Sequence, residues 1–175
     1  MRPNDPRVIA RHESAHALVL IARGMKFKSI EVFAEAAYLP EADSVALGCI
    51  RLKSQDWLGE ELLTRIVCSL ASLSVERMLC RDVPYMMLAL TSCQNDYFYA
   101  EEQCELNGYS IDRLQTVANK MVRRLNPNIR KLGDELLRRG RMNCREVMEL
   151  CPGVAAEGKA FLASQQEIAA YEVAA

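Results

Sequence analysis

His12 and His16 are the only histidines in a chain of 175 residues, and they stand four apart with Glu13 directly after the first. On a helix, positions i and i+4 share a face, so both imidazoles can reach one zinc ion through a ring nitrogen. Glu13 then sits beside the metal. A carboxylate there can take a proton from a water whose pKa the ion lowers to about 7, and pass it to a departing amine. The spacing therefore points to hydrolysis of an amide bond. The competing reading is two surface histidines around an ordinary helical glutamate, and the local helical signals decide against it.

Those signals begin at Asn4-Asp5-Pro6, a side-chain acceptor at the cap followed by proline where its missing N–H costs nothing. They predict a helix from Pro6 to about Arg23, stopped by Gly24, with Val8, Ala15, Val19 and Ala22 as an inward stripe. Two strand-like runs follow, Ser29–Phe33 and Val45–Leu52, separated by a polar stretch with Pro40, Glu41 and Asp43. They predict a small antiparallel hairpin or sheet with a long loop. From Asp56 an apolar period carries a long buried helix to about Leu79, and Arg81 to Cys93 reads as a connection broken by Pro84. Asp96 opens a helix to about Leu106, ended by Asn107-Gly108. Ser110 caps the next segment, which Asn126-Pro127 divides into Ile111–Leu125 and Pro127–Arg139. Gly140 ends it, and Asn143 with Glu146 forms a capping box for a short helix to Leu150. The expected class is mainly α with a small β-hairpin or sheet (α+β): one domain over 1–152, then an Ala-rich tail or surface helix over 153–175.

Composition narrows the partners. A net charge of -1 gives no global positive field toward nucleic acid or anionic lipid. The basic run Lys120, Arg123, Arg124, Arg130, Lys131, Arg138, Arg139 and Arg141 is a nucleic-acid candidate only on paper, because Asp112, Asp134 and Glu135 balance it as a solvated helical face. Seven cysteines without a CxxC pair read as reduced core residues of a cytoplasmic protein rather than a metal cluster or redox pair. No stretch approaches the roughly 20 apolar residues of a membrane span, and the N-terminus has no signal-peptide core. Gly153 to Ala160 matches a phosphate loop except that Ala160 stands where Ser or Thr must hold magnesium, and no convincing strand precedes it.

Two histidines need a third protein ligand to make a catalytic zinc site with one position left for water. The residue types leave Asp43, Glu76, Asp96, Glu101 and Glu102 open, along with the cysteines. Here the chain resembles the peptidase domain of FtsH-type zinc metalloproteases, whose signature is a His-Glu-Ala-Gly-His helix with a distant aspartate. Arg11 to Val19 is similar to that metal helix, and Val45-Ala46-Leu47-Gly48 resembles the substrate-side hairpin element. Leu62 to Val67 with Val75-Glu76 is similar to the long helix after it. Ser92-Cys93-Gln94-Asn95-Asp96 resembles the segment that ends in the aspartate ligand, and Leu136-Leu137 with Glu146-Val147 the closing helices.

The resemblance spans roughly Val8 to Leu150 and implies zinc on His12, His16 and Asp96, with Glu13 as base. A plain helix N-cap is the bland alternative for Asp96. Two departures stand out. The family's glycine-rich patch reads Ala71-Ser72-Leu73-Ser74, and a glycine before the aspartate segment is replaced by Ser92-Cys93. The AAA ATPase module that precedes the family's protease has no counterpart ahead of the metal helix.

The expectation is a zinc metalloendopeptidase, ATP-independent by itself, for flexible or unfolded polypeptide. The peptide would pair along Leu47 to Cys49, with Tyr97 or an arginine helping at the oxyanion. A separate ATPase partner or a homo-oligomer is left open. The rival class is a catalytically inactive protease-like module that binds peptide or a partner protein.

Overall fold

The computed structural model describes residues 1–33, 48–52 and 59–164. Asp5 caps the first helix as its spacing predicts: its carboxylate accepts the Arg7 N–H at 2.8 Å and Pro6 opens α1, Pro6–Ala22. Gly24 follows with φ 79°, a left-handed turn that glycine enters without Cβ strain. From His12 to Ala22 every residue of α1 is buried, not only the expected stripe. The reason is its position: α2 (Glu60–Leu79), α5 (Ile111–Arg139), α7 (Val154–Ser164) and two strands all pack around it.

The strands form an antiparallel sheet in the order β2-β1-β3, with β1 Phe27–Val32, β2 Gly48–Leu52 and β3 Arg141–Asn143. Ile30 faces Ile50 on one side and Met142 on the other. Glu31 ties the three strands together, accepting from Ser29 Oγ at 2.9 Å, with Arg51 Nε at 3.1 Å and Arg141 Nε at 3.3 Å. The expected hairpin is present in β1 and β2. The first residues of the second expected strand, the loop with Pro40, Glu41 and Asp43, and the Asp56 cap lie outside the described residues. β3 was not expected, because three residues are too short to carry an alternation.

Two further differences have physical causes. Within the expected connection after Arg81, Tyr85–Leu90 forms a short helix, α3, whose Leu88 and Ala89 close a small apolar cluster with Val8, Leu73, Cys80 and Cys93. Burial decided there, not propensity. Pro127 does not divide the next segment, and α5 is one helix through it. Pro127 and Arg123, four residues earlier, are both exposed, so water can meet the carbonyl that the proline leaves without an N–H partner. The buried positions Leu114, Val117, Met121, Leu125, Ile129, Leu132 and Leu136 keep one helical phase across it.

The capping box is present in both directions: Asn143 accepts the Glu146 N–H at 3.0 Å and Glu146 accepts the Asn143 N–H at 2.7 Å, opening α6, Cys144–Leu150. After Gly153, α7 seats Val154 and Phe161 in the main core. A Cβ at Gly158 would fall 1.9 Å from the Ala22 carbonyl oxygen, so this glycine lets two helix backbones cross in contact. That contact, with α6 rather than a strand before the segment, is the structural use of the glycines that mimic a phosphate loop. All seven cysteines are free thiols and six of them are buried.

Candidate metal centre

Three elements bring the site together. α1 supplies His12, Glu13 and His16. α2 runs behind it, and α4, Gln94–Asn107, supplies Asp96 from its first turn. Asp96 is not the helix cap, a place taken by Cys93. Instead its Oδ2 lies 3.3 Å from His12 Nε2 and 3.1 Å from His16 Nε2. The two rings stand edge to face, 4.9 Å between centroids. His12, His16 and Asp96 thus form a group able to hold a metal ion, with ligand atoms within 4.8 Å of one another.

The far side of each ring is fixed as well. His16 Nδ1 donates to the Cys68 carbonyl at 2.9 Å, and His12 Nδ1 meets Glu76 Oε1 at 2.7 Å. Glu76 is itself held by the Ser92 hydroxyl, and Ser72 Oγ donates to Asp96 Oδ2 at 3.2 Å. Such partners set the tautomer of a metal-ligating histidine. With Nδ1–H used outward, each neutral ring turns an Nε2 lone pair toward a carboxylate oxygen. Three acceptor atoms then converge on one point, an arrangement that requires a proton or a cation among them.

The charges respond accordingly. Burial alone would push the His12 and His16 pKa values down, but Asp96, with Cys93 and Glu76 at His12 and Cys68 at His16, outweighs it and holds both well above the ordinary 6.5. Burial pushes the Asp96 carboxyl up, and the two imidazoles outweigh that, holding it far below the usual range. Glu13 is raised above 4.5 by its burial, with His12 and His16 pulling it part of the way back.

Glu13, His12, His16 and Asp96 line a cleft of about 950 Å³, walled on one side by Gly48, Cys49 and Ile50 of β2 and on another by Leu90, Thr91, Ser92 and Asn95. A Cβ at Gly48 would sit 2.6 Å from Glu13 Cγ, so glycine is what lets the strand lie against Glu13. A second recess, about 590 Å³, is lined by N-terminal residues between Met1 and Arg7 and gathers none of these side chains.

The other expected ligands fall elsewhere. Glu76 reaches Nδ1 of His12 and not the Nε2 side, Glu101 meets the Tyr97 hydroxyl at 3.5 Å, and Glu102 is exposed. Asp43 lies outside the described residues. Tyr97, expected near the oxyanion, does not line the cleft. Sequence reasoning did not find Ser72, the Cys68 carbonyl or Arg65, which does line it. The signal was available in the 3-4-4 spacing of Arg65, Cys68, Ser72 and Glu76 on one face of α2.

A second metal-capable group, His12, Glu76 and Cys93, shares His12 with the first. His12 and Glu76 line the cleft, but Cys93 is 1% exposed and does not, so the third member of that group lies behind the cleft wall. A scan against protein-family models finds none that matches the chain, and a search of the curated proteins finds no match.

Proposed function

We propose that the chain is a zinc-dependent metalloendopeptidase of the FtsH peptidase type, cleaving flexible or unfolded polypeptide. The observation that carries the reading is the convergence of both HExxH imidazoles on Asp96 with Glu13 beside them in an open cleft. His12, His16 and Asp96 would hold the ion. Zinc, when bound, supplies a lowered pKa to water and polarises the scissile carbonyl.

Glu13 does the proton work. It takes a proton from the attacking water as the new C–O bond forms, and returns it to the amine nitrogen as the C–N bond breaks. Its burial raises its affinity for that proton, which suits a group that must hold it between the two steps. Glu76 and the Cys68 carbonyl keep the rings oriented, and Ser72 does the same for Asp96.

The substrate class follows from β2. Among the described residues its one strand partner is β1, so its outer edge can take an extended peptide as an added strand. Only a segment free of its own structure can do that. Gly48 and Cys49 would supply this edge, and Leu47 lies outside the described residues.

The test compares zinc-loaded protein with its Glu13→Gln variant on casein and on a quenched peptide pool. The reading expects turnover to drop by about 10²- to 10⁴-fold with zinc still bound. Equal turnover by the two would remove Glu13 from the mechanism, and one zinc per chain with no cleavage of any peptide would favour a non-catalytic binding module.

A further inference from the structure

We propose that Arg65, seated against Tyr99, forms a subsite for a substrate carboxylate close to the scissile bond. The proposal rests on the hydrolytic reading of the cleft and names what that cleft selects.

Glu76, Ser72 and Cys68 lie along one face of α2 and meet His12, Asp96 and His16 in turn. Arg65 is the next position on that face, so its backbone lies about 4.5 Å beyond Cys68 along the axis. α4 repeats the pattern, with Asp96 at the ligand point and Tyr99 one turn further on. The two extra positions meet: the Arg65 guanidinium carbon is 5.2 Å from the Tyr99 ring centroid. An element that touches His16 and an element that carries Asp96 thus jointly hold a cation, one turn beyond Cys68 on the first and one turn beyond Asp96 on the second.

That cation faces the cleft. Arg65 is half-buried and lines the same cavity as Glu13 and residues 48–50 of β2. Among the described lining residues it is the one Lys or Arg, while Glu13, Glu76 and Asp96 are all acidic. No described carboxylate pairs with it directly, although Glu13 across the cleft feels its charge. The ring of Tyr99 lies against the guanidinium and its hydroxyl takes one N–H, which leaves the other N–H groups for a planar acceptor. A carboxylate fits that fork in bidentate fashion, and a lysine could not present it.

Position sets the register. Tyr99, which the guanidinium meets, stands about one helical turn from Asp96, and an extended peptide advances roughly 3.3 Å per residue, so the carboxylate belongs one or two residues from the scissile carbonyl. Its source is either an Asp or Glu side chain or the terminal carboxylate of the substrate.

Binding is measured by fluorescence anisotropy on zinc-loaded Glu13→Gln protein, which holds peptide without turnover, using one neutral peptide frame in three forms. These are the amidated neutral peptide, amidated versions with one Glu at each position in turn, and the neutral peptide with a free C-terminus. A carboxylate form should bind about ten- to hundredfold tighter than the amidated neutral one. Preference for a single-Glu peptide assigns the side chain, and preference for the free terminus assigns the terminal group. Arg65→Gln should bring the ratio to about one with zinc content and circular dichroism unchanged, and Arg65→Glu should turn the preference toward Lys-bearing peptides. No carboxylate preference, or a preference that survives Arg65→Gln, overturns the assignment. If neutral peptides bind and wild-type protein cleaves them without that preference, only Arg65 is wrongly placed. If no peptide of any kind binds or is cleaved, the hydrolytic reading falls, and this one with it.

Discussion

At the scale of single residues, the two histidines and Glu13 announce themselves because a helix turns a four-residue interval into a shared face. Asp96 does not, because it stands 80 residues from His16 and five acidic side chains were equally eligible by type. Only the packing of α4 on α2 separates them, and it gives Glu76 a different duty at the outer nitrogen of His12. The same contacts set a pH response. Burial works against protonation of His12 and His16, but their acidic and thiol neighbours hold both values well above 6.5. A raised folded value means that, with a chelator present, protonated rings stabilise the fold below pH 6.5. That contribution is lost as pH rises through the folded values. Zinc needs neutral rings and so runs the opposite way. Competition titrations and thermal melts from about pH 5 to 8 should therefore show zinc affinity falling from a point above the ordinary imidazole value. Zinc affinity that stays flat until well below 6.5 would count against this environment.

Among the elements, α1 was legible nearly to its ends, because cap, proline and stop signals are local chemistry. α3 and β3 were not, since six and three residues carry no readable period and owe their form to what they pack on. Pro127 misled for a related reason: a proline is costly inside a helix where its neighbours are buried, and this one faces water. Two glycines give predictions at this scale. Gly48→Ala should leave folding and zinc content intact but push Glu13 aside. Turnover should fall by about tenfold or more, as expected when a proton-transfer group loses its position. Turnover equal to wild type would show that β2 does not hold the base. Gly158→Ala puts a methyl group against the Ala22 carbonyl, and overpacking of that kind costs about 1 to 3 kcal/mol. Urea unfolding should register that loss with zinc stoichiometry unchanged. An unaltered midpoint would mean that α7 moves off α1 freely.

Over the whole molecule, a helix wrapped by other elements presents His12, Glu13 and His16 to a cleft bordered by a strand edge, and the α+β class read from the residues describes that architecture. Three basic side chains of α5 make local contacts: Arg138 and Arg139 to Glu135, Arg139 also to Glu146, and Lys131 to the Leu150 carbonyl. No described helix is long and apolar enough to cross a membrane. Everything functional then turns on what sits between the imidazoles. X-ray absorption on zinc-loaded protein, beside Asp96→Asn, addresses that point most directly. The account predicts one zinc per chain with two imidazole nitrogens and a carboxylate oxygen at about 2.0 to 2.2 Å, and a large loss of affinity in the variant. A sulfur at about 2.3 Å, which would place the ion with Cys93, or undiminished affinity in Asp96→Asn, would contradict it.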